Sequence, residues 1–328
     1  MKTIAVLTSG GDSPGMNAAI RASVRASLAA NLEVYGARNG FSGLVNNDFV
    51  SLKNYSVTNI LQRGGTILGT SRSGSFETKK GRSDAAENLI SKNIQGLILI
   101  GGQGTAKAAL EFYKEYEIPS IVIPASIDND VPGSDFSIGF DTAVNGAMDA
   151  IDRIRDTAES SGRIFFVEVM GRERGYIALF AGLSGGADAI LIPEEKEDIE
   201  ILCKRLVAGH EAGKRSFVVV VAEGEEAGGA FSVAERVRSQ LGDRLDFDYR
   251  VTVLGHLQRG GTPSSKDRVL GTILGAAAVE GLQSGLGSHL VGEINNETVF
   301  TSLKDINNAT RDLPKDLLHL LHTVGSQL

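Results

Sequence analysis

The chain has 328 residues, of which 42% are apolar and 22% are charged, the composition of a globular protein. Its net charge of −7 argues against a nucleic-acid scaffold, because proteins that follow a phosphate backbone carry a basic excess. Cys203 is the only cysteine, which excludes an intramolecular disulfide and favours a reducing compartment. No apolar run approaches the roughly 20 residues of a membrane span, so we expect a cytoplasmic protein that binds neither membrane nor nucleic acid.

Short β-branched runs alternate with helical periods from one end of the chain to the other. "TIAVLT" leads into "GGDSPGMN" and a helix from about Asn17, "GLILI" leads into "GGQG" and a second helix, and "SIVIPA" ends in "SIDND". The long amphipathic pattern "SIGFDTAVNGAMDAIDRIRDTA" follows, and a second series begins with "RIFFVEVMGR" and continues through "AILIPE", "SFVVVVAEG" and "RVTVLGHLQRGG". The alternation predicts an α/β fold with two stacked three-layer lobes, mainly parallel sheets and an active site in the cleft between the lobes.

Three glycine-rich segments are candidates for phosphate binding. "GGDSPGMN" has the glycine spacing of a Walker A loop, but Met16 and Asn17 replace its Lys-Ser/Thr pair. In "GGQGTAK", Lys107 stands where a dinucleotide fingerprint has its third glycine. Each turn alone is equally well explained by packing. Together with "RGGTILGTSR", which carries Arg72, they favour a polyphosphate cradle built from backbone N–H groups and helix N-termini.

The segment "SIDND" follows a predicted strand, at the carboxyl end where open α/β sheets bind ligands. If the segment is extended, Asp128 and Asp130 point the same way and serve one site. One carboxylate could then accept a hydroxyl proton while the other held Mg²⁺, which is the division of roles in phosphoryl transfer. The alternative is a surface turn rich in Asp and Asn.

The second series of elements carries arginines and polar groups at strand ends. Arg163 and Arg250 each open a predicted strand, Arg172 closes one, Glu223 ends another, and His256 and Arg259 lie in "GHLQRGG". Arginine is suited to bidentate binding of a phosphate monoester, and a glutamate is suited to sugar hydroxyls. Any one of these arginines is also explained as a surface ion pair.

The chain resembles the bacterial ATP-dependent 6-phosphofructokinases along nearly its whole length. The resemblance is carried, in order, by "LTSGGDSPGMNAAIR", "RGGTILGTSR", "IGGQGT", "PASIDND", "IGFDTAV", "VEVMGR" and "VTVLGHLQRGG". It implies transfer of the ATP γ-phosphoryl group to the 1-hydroxyl of fructose 6-phosphate, with Mg²⁺, by a homotetramer. The long helix pattern places the boundary between the lobes near Phe140, so we expect a nucleotide-binding lobe of residues 1–139 plus about 257–305 and a sugar-phosphate-binding lobe of 140–256 plus about 306–328.

The resemblance assigns a role to each matching residue. Asp128 would be the base, Ser126 would contact the reacting group, and Arg172 would neutralise charge on the transferred phosphoryl. Asp130 would help to hold Mg²⁺. The implied sugar-phosphate ligands are Ser126, Asp128, Asp130, Arg163, Met170, Gly171, Arg172, Glu223, Arg250, His256 and Arg259, with Arg163 and Arg250 reaching in from a neighbouring subunit. The implied ATP contacts are Gly11, Arg72, Ser73, Gly102, Gln103, Gly104 and Thr105, with Arg82 as an additional candidate.

Gln103 departs from the family pattern, which has Asp within "GGDGS". An amide offers Mg²⁺ only a neutral oxygen, so we expect reduced catalysis or an altered metal dependence. The alternative function is a regulatory or sugar-phosphate-binding homologue that keeps the fold. A third alternative, a pyrophosphate-dependent kinase, is disfavoured because Gly104 and Ala125 replace the Asp and Lys of pyrophosphate-using relatives.

The family also has an effector site for ADP or phosphoenolpyruvate at a subunit interface. The matching residues are Arg21, Arg25, Arg155, Asp188, Lys214 and Arg215. Asn54 replaces an arginine of the family pattern and Ala212 replaces a lysine, so we expect weakened binding of a small polyanion.

Overall fold

The computed structural model describes residues 1–71, 73–195, 198–226, 228–242 and 248–324. In these residues the strands are β1 Thr3–Ser9, β2 Glu33–Ala37, β3 Phe49–Leu52, β4 Leu97–Gly101, β5 Ser120–Pro124, β6 Arg163–Val169, β7 Ala189–Leu191, β8 Phe217–Ala222, β9 Asp248–Val253, β10 Ser288–Ile294 and β11 Glu297–Ser302. The helices are α1 Met16–Ala29, α2 Phe41–Val45, α3 Lys79–Ser91, α4 Gln103–Tyr116, α5 Phe140–Ser161, α6 Tyr176–Ser184, α7 Ile199–Glu211, α8 Ala230–Leu241, α9 Ser265–Gln283, α10 Leu303–Asn308 and α11 Lys315–Val324. Short 3₁₀ helices span Asn54–Val57 and Gly255–Arg259.

The chain forms two compact units, each with its own sheet. The first unit contains Met1–Thr142 and Arg259–Arg311, and the second contains Ala143–Gln258 and Asp312–Leu328. The predicted α/β class with mainly parallel sheets is confirmed. Helix α5 begins at Phe140, three residues later than the sequence pattern suggested, because Gly139 has φ +101° and Ile138 forms a β-bridge with Ala125.

The sheet of the first unit has seven strands in the order β11-β10-β5-β4-β1-β2-β3. Only its two outer pairs, β10 with β11 and β2 with β3, are antiparallel. Side chains alternate between two cores: Ile98 and Ile100 of β4 pack with residues of α1 and α9, whereas Leu97 and Leu99 pack with residues of α3 and α4. A parallel strand that is buried on both faces has a continuous run of apolar residues in its sequence, as "LILI" of β4 does.

The sheet of the second unit has four parallel strands in the order β7-β8-β6-β9. One face of β6 and β8, which includes Phe166 and Val219, packs with residues of α7 and α8. Strand β9 lies at the edge of the sheet and alternates between exposed and partly buried residues along much of its length. In the part of the chain that the structure describes, no helix is both long and apolar enough to span a membrane.

The buried Arg82 of α3 forms an ion pair with the exposed Glu115 of α4. Its Nε lies 2.7 Å from Glu115 Oε2 and its Nη2 donates to Oε1 at 2.8 Å, while Nη1 donates to the carbonyls of Phe76 and Glu77. The hydrogen bond from Glu115 raises the pKa of Arg82, and the same bond lowers the pKa of Glu115. Because the guanidinium is already engaged between α3 and α4, we leave Arg82 out of the nucleotide site.

We expect Glu115→Gln to lower the free energy of unfolding by about 1 kcal/mol at pH 7, because the buried Arg82 loses its charged partner while solvent screens the exposed Glu115. The folded-state pKa of Glu115 is depressed, so its contribution is present above the unfolded pKa and is lost as the pH falls below about 4. Denaturant unfolding at pH 7 and pH 3 measures both values. The exposed Glu87→Gln is the control, with a change under about 0.5 kcal/mol. A Glu115→Gln effect of the same size at both pH values would contradict the assignment.

Candidate active site

The register of three parallel strands brings three functional segments to one edge of the first unit's sheet. Ser9, the last residue of β1, pairs with Gly101 at the end of β4, and Gly101 pairs with Pro124 at the end of β5. The N–H of Ala125 also donates to the carbonyl of Gly101 at 3.0 Å. The first glycine turn, "GGQG" and "SIDND" therefore leave the sheet side by side.

Gln103 is the first residue of α4, and its side chain is exposed. Gly102 is the N-cap and offers no side chain, and no acidic residue lies in the first turn of the helix. The first N–H groups of a helix have no intrahelical acceptor, so those of Gln103 and Gly104 are available to an anion. A Cβ on Gly104 would meet no heavy atom within 4 Å, so the space beside this turn is open. Thr105 is buried, with its hydroxyl beside Gly101.

The third glycine segment is bonded to the first. Thr70 Oγ1 donates to the carbonyl of Gly10 at 2.7 Å, and Thr8 Oγ1 donates to that of Gly69 at 2.8 Å. Arg72 lies outside the described residues. Ser73 is described, and its hydroxyl is 3.0 Å from that of Ser75. The convergence of the three glycine segments, inferred above from their number alone, is thus present within the first unit.

Arg259 lies against the first glycine turn. Its Nη1 donates to the carbonyl of Asp12 at 3.1 Å, and a Cβ on Gly11 would lie 2.6 Å from the same atom. The sequence resemblance assigns Gly11 to ATP and Arg259 to the sugar phosphate, and within the first unit the two residues are neighbours.

The segment that carries Asp128 and Asp130 is a turn, so the extended arrangement considered from the sequence is wrong. Ile127 and Asp128 form the turn, and Asn129 has φ +51°. Asp128 is buried, with 3% of its surface exposed, whereas Asp130 is half-buried. Ser126 Oγ donates to Asp130 Oδ1 at 2.9 Å and accepts from the N–H of Asp128 at 3.3 Å. The two carboxylates therefore differ in burial, which suits them to different roles.

The carboxyl ends of β6 and β8 form a corresponding edge in the second unit, where Val169 pairs with Ala222. Glu223 Oε1 accepts hydrogen bonds from the N–H of Gly171 at 3.2 Å and from that of Arg172 at 2.7 Å. Arg172 is exposed and has φ +54°, and a Cβ on Gly224 would overlap its carbonyl. The Glu223 carboxylate thus fixes the backbone from which the Arg172 side chain extends.

Gln258 is a structural residue of this edge that the sequence did not reveal. It is 2% exposed, its Oε1 accepts from the N–H of Met170 at 3.3 Å, and its Nε2 donates to the carbonyl of Gly255. This amide connects the 3₁₀ helix that carries the exposed His256 to the end of β6. Gln258 is a polar residue in "GHLQRGG", a segment without a repeating apolar pattern, so nothing in the sequence indicated that it is buried.

Arg172 follows the carboxyl end of β6, whereas Arg163 and Arg250 lie toward the amino ends of β6 and β9. Arg163 opens β6, as predicted, and pairs with Asp248. The sequence pattern also predicted that Arg250 opens a strand, but Arg250 is the third residue of β9. Arg163 Nε is 3.1 Å from Asp248 Oδ2, and Arg250 contacts the same carboxylate at 2.5 Å. The length of β6, which rises about 3.3 Å per residue, separates Arg163 from Met170 and the residues that follow it.

The predicted effector residues are divided between the two units. Arg21 and Arg25 lie one turn apart on α1; partial burial, and then the charge of Arg25, lower the pKa of Arg21. In the second unit, Lys214 is bonded to Asp188 and lies over the ring of Phe217, while Arg155 donates to the carbonyls of Gly185 and Gly186. Arg215 is exposed.

Comparison with known proteins gives one consistent result. The Phosphofructokinase family matches residues 3–282. The ATP-dependent 6-phosphofructokinase 1 of Thermus thermophilus is 50% identical over 320 residues, 98% of each chain, and the Bacillus subtilis ATP-dependent 6-phosphofructokinase is 47% identical over 98% of each chain. The Saccharomyces cerevisiae phosphofructokinase structure aligns with TM-score 0.88 and 34% identity over 99% of this chain, which spans 47% of the yeast chain. The chain belongs to the phosphofructokinase family.

Proposed function

We propose that the protein is an ATP-dependent 6-phosphofructokinase, which phosphorylates the 1-hydroxyl of fructose 6-phosphate. The observation that carries the proposal is the strand register of Ser9, Gly101 and Pro124, which brings a buried carboxylate, Asp128, to the same sheet edge as the N-terminus of α4. Full-length identity of 47 to 50% to proteins named for this activity supports it. The single cysteine and the absence of a long apolar run support a cytoplasmic location.

The nucleotide phosphates would bind to backbone groups. The free N–H groups at the start of α4 and the positive end of the helix favour an anion at Gly102, Gln103 and Gly104. A Cβ placed on Gly104 would have no heavy atom within 4 Å, and the glycine adds neither bulk nor charge that would oppose a nucleotide there.

Mg²⁺ fits the residues present if it arrives with the nucleotide. Mg²⁺ is commonly bound by one or two carboxylates together with substrate phosphates, and no group of three or more His, Cys, Asp or Glu residues able to cage a metal occurs among the described residues. Asp130 would supply the charged protein oxygen and Gln103 a neutral one. The ion would reduce the negative charge on the phosphates.

Asp128 would accept the proton of the sugar 1-hydroxyl as the hydroxyl oxygen forms a bond to the γ-phosphorus, while the bond from that phosphorus to the bridging oxygen breaks and ADP leaves. Burial places this base in a low-dielectric environment, and the hydrogen bond from its N–H to Ser126 fixes its backbone. Arg172 would offer a fixed cation to the charge that develops on the transferred phosphoryl. The hydrogen bond from its N–H to Glu223 holds it in a left-handed conformation that an arginine rarely adopts.

The sugar phosphate would be bound by residues from two subunits. Met170, Gly171, Glu223 and His256 lie at the carboxyl ends of the second unit's strands, whereas Arg163 begins β6 and Arg250 lies within β9 and contacts Asp248 at the start of that strand. This separation supports the assembly that the resemblance implies, in which the two arginines serve a neighbouring subunit of a homotetramer.

We further propose a weak response to ADP or phosphoenolpyruvate, because Asn54 and Ala212 remove two cations and Lys214 is already paired with Asp188.

A coupled assay with fructose 6-phosphate and either ATP or pyrophosphate tests the reaction. We expect turnover with ATP only, and we expect Asp128→Asn to lower kcat by about 10²–10⁴-fold, because an amide cannot accept the hydroxyl proton. Asp135→Asn removes a half-buried carboxylate from the same loop and is the matched control, with kcat close to that of the wild type. Purified wild type with no turnover on either donor would instead favour the sugar-phosphate-binding homologue.

Gln103→Asp tests whether the amide at this position weakens the binding of Mg²⁺. We expect it to reduce the Mg²⁺ concentration for half-maximal turnover several-fold, because a carboxylate restores one negative charge beside the phosphates. Titration of initial rate against Mg²⁺ at fixed ATP measures this shift, and Gln103→Asn, a shorter neutral amide, serves as the control. Unchanged turnover and Mg²⁺ dependence in Gln103→Asp would refute a role for this side chain in metal organisation.

A further inference from the structure

Residues 137–142, which we call the strap, contact three functional parts of the first unit. The strap follows the turn of Asp128 in sequence and ends in the first residues of α5. It contacts that turn, the first glycine turn and the N-terminus of α9. Its anchor is Asp267, which is 1% exposed and lies far away in sequence, in the first turn of α9.

The strap holds the catalytic turn at both ends. The N–H of Ser126 donates to the carbonyl of Ile138 at 3.1 Å, and the N–H of Ile138 donates to the carbonyl of Pro124 at 3.0 Å. The N–H of Ser137 donates to Asn129 Oδ1 at 2.8 Å, and both groups are buried. Asp128 lies between the two residues, Ser126 and Asn129, that these bonds restrain.

Asp267 holds the strap through three donors. Its Oδ1 accepts from the N–H of Gly139 at 2.8 Å, and its Oδ2 accepts from the N–H of Thr142 at 2.8 Å and from Thr142 Oγ1 at 2.5 Å. Thr142 Oγ1 in turn accepts from the N–H of Ser264 at 2.9 Å. Burial raises the pKa of Asp267, and the hydrogen bonds from Thr142 and Gly139 act in the opposite direction.

The strap packs closely against the first glycine turn. A Cβ on Gly139 would lie 2.5 Å from Ser13 Cβ, and a Cβ on Gly15 would lie 2.7 Å from Ile138 Cγ2. Gly15 also packs directly against Asp267, since its Cβ would lie 3.2 Å from that of the aspartate. The strap is therefore in direct contact with the turn assigned to ATP as well as hydrogen-bonded to the catalytic turn.

We propose that Asp267 is a positioning residue for phosphoryl transfer, acting through the strap on Ser126 and Asn129 to fix the location of Asp128. The proposal rests on the proposed function. Asparagine at this position keeps the size of the side chain but presents an amide N–H to one of the strap donors, so at least one of the three hydrogen bonds is lost. A base displaced by about 1 Å costs up to about 100-fold in rate, whereas substrate contacts elsewhere are retained.

Steady-state kinetics of Asp267→Asn, Thr142→Val and Thr142→Ser provide the test. We expect the first two to lower kcat about 10- to 100-fold with KM for ATP and fructose 6-phosphate within about threefold of wild type, and Thr142→Ser to restore kcat. Ser23→Ala is the matched control, because it removes the buried hydrogen bond from Ser23 Oγ to the Gly275 carbonyl at the contact of α1 with α9, away from the strap. If Asp267→Asn lowers thermal stability like Ser23→Ala but leaves kcat unchanged, the proposal is wrong.

Hydrogen exchange provides a readout that does not depend on activity. In Asp267→Asn the amides of 126–138 are expected to exchange at least tenfold faster than in the wild type, whereas in Ser23→Ala they keep the wild-type rate. Wild type without turnover contradicts the proposed function, and the exchange data still decide on the strap. Equal protection of 126–138 in wild type and Asp267→Asn overturns the positioning role whatever the kinetics show.

Discussion

The parallel register of β1, β4 and β5 is the constraint on which the proposed chemistry depends. Ser9, Gly101 and Pro124 are hydrogen-bonded neighbours at the strand ends, so the backbone itself sets the spacing of the three loops that follow. This register is maintained by two buried faces, because a slip of one residue would turn every apolar side chain of β4 to the opposite core. The position of the site is therefore fixed by the same packing that makes the sheet stable.

Two residues assigned to the chemistry, or next to it, have left-handed backbone conformations. Asn129 has φ +51° beside Asp128, and Arg172 has φ +54°. For an arginine this conformation costs of order 1 kcal/mol or more, and it persists where surrounding contacts determine it. The bond from Ser137 holds Asn129, and the Glu223 carboxylate holds Arg172. At the first turn the Asn129 side chain accepts the N–H of Ser137, and at the second the Glu223 side chain accepts the N–H of Arg172, so a side-chain acceptor stabilises each left-handed residue.

The sequence predicted the α/β class, the strands and the residues at their carboxyl ends, because buried parallel strands and glycine turns have strong local signals. It left an extended segment and a turn as alternatives at Asp128, and it did not predict the partner of Arg82 or the anchor at Asp267. Those depend on contacts between residues far apart in the chain: Arg82 meets Glu115, and Asp267 meets Gly139 across more than one hundred residues. "SSKD" indicates only a helix cap, with Ser264 accepting from the N–H of Asp267, and says nothing of what the carboxylate accepts.

Gln103 separates two functions that one aspartate combines in the family pattern. Phosphate binding at this turn needs the free N–H groups of a helix start, and these are intact whichever side chain occupies the first position. Metal organisation needs a charged oxygen, and Asp130 is left as the only carboxylate assigned to it, already accepting a hydrogen bond from Ser126. In the proposed site, the backbone groups that would bind phosphate are thus the same whichever side chain occupies position 103, whereas the proposed set of metal ligands depends on that side chain. Family membership therefore fixes the reaction class more firmly than it fixes the dependence of this chain on Mg²⁺.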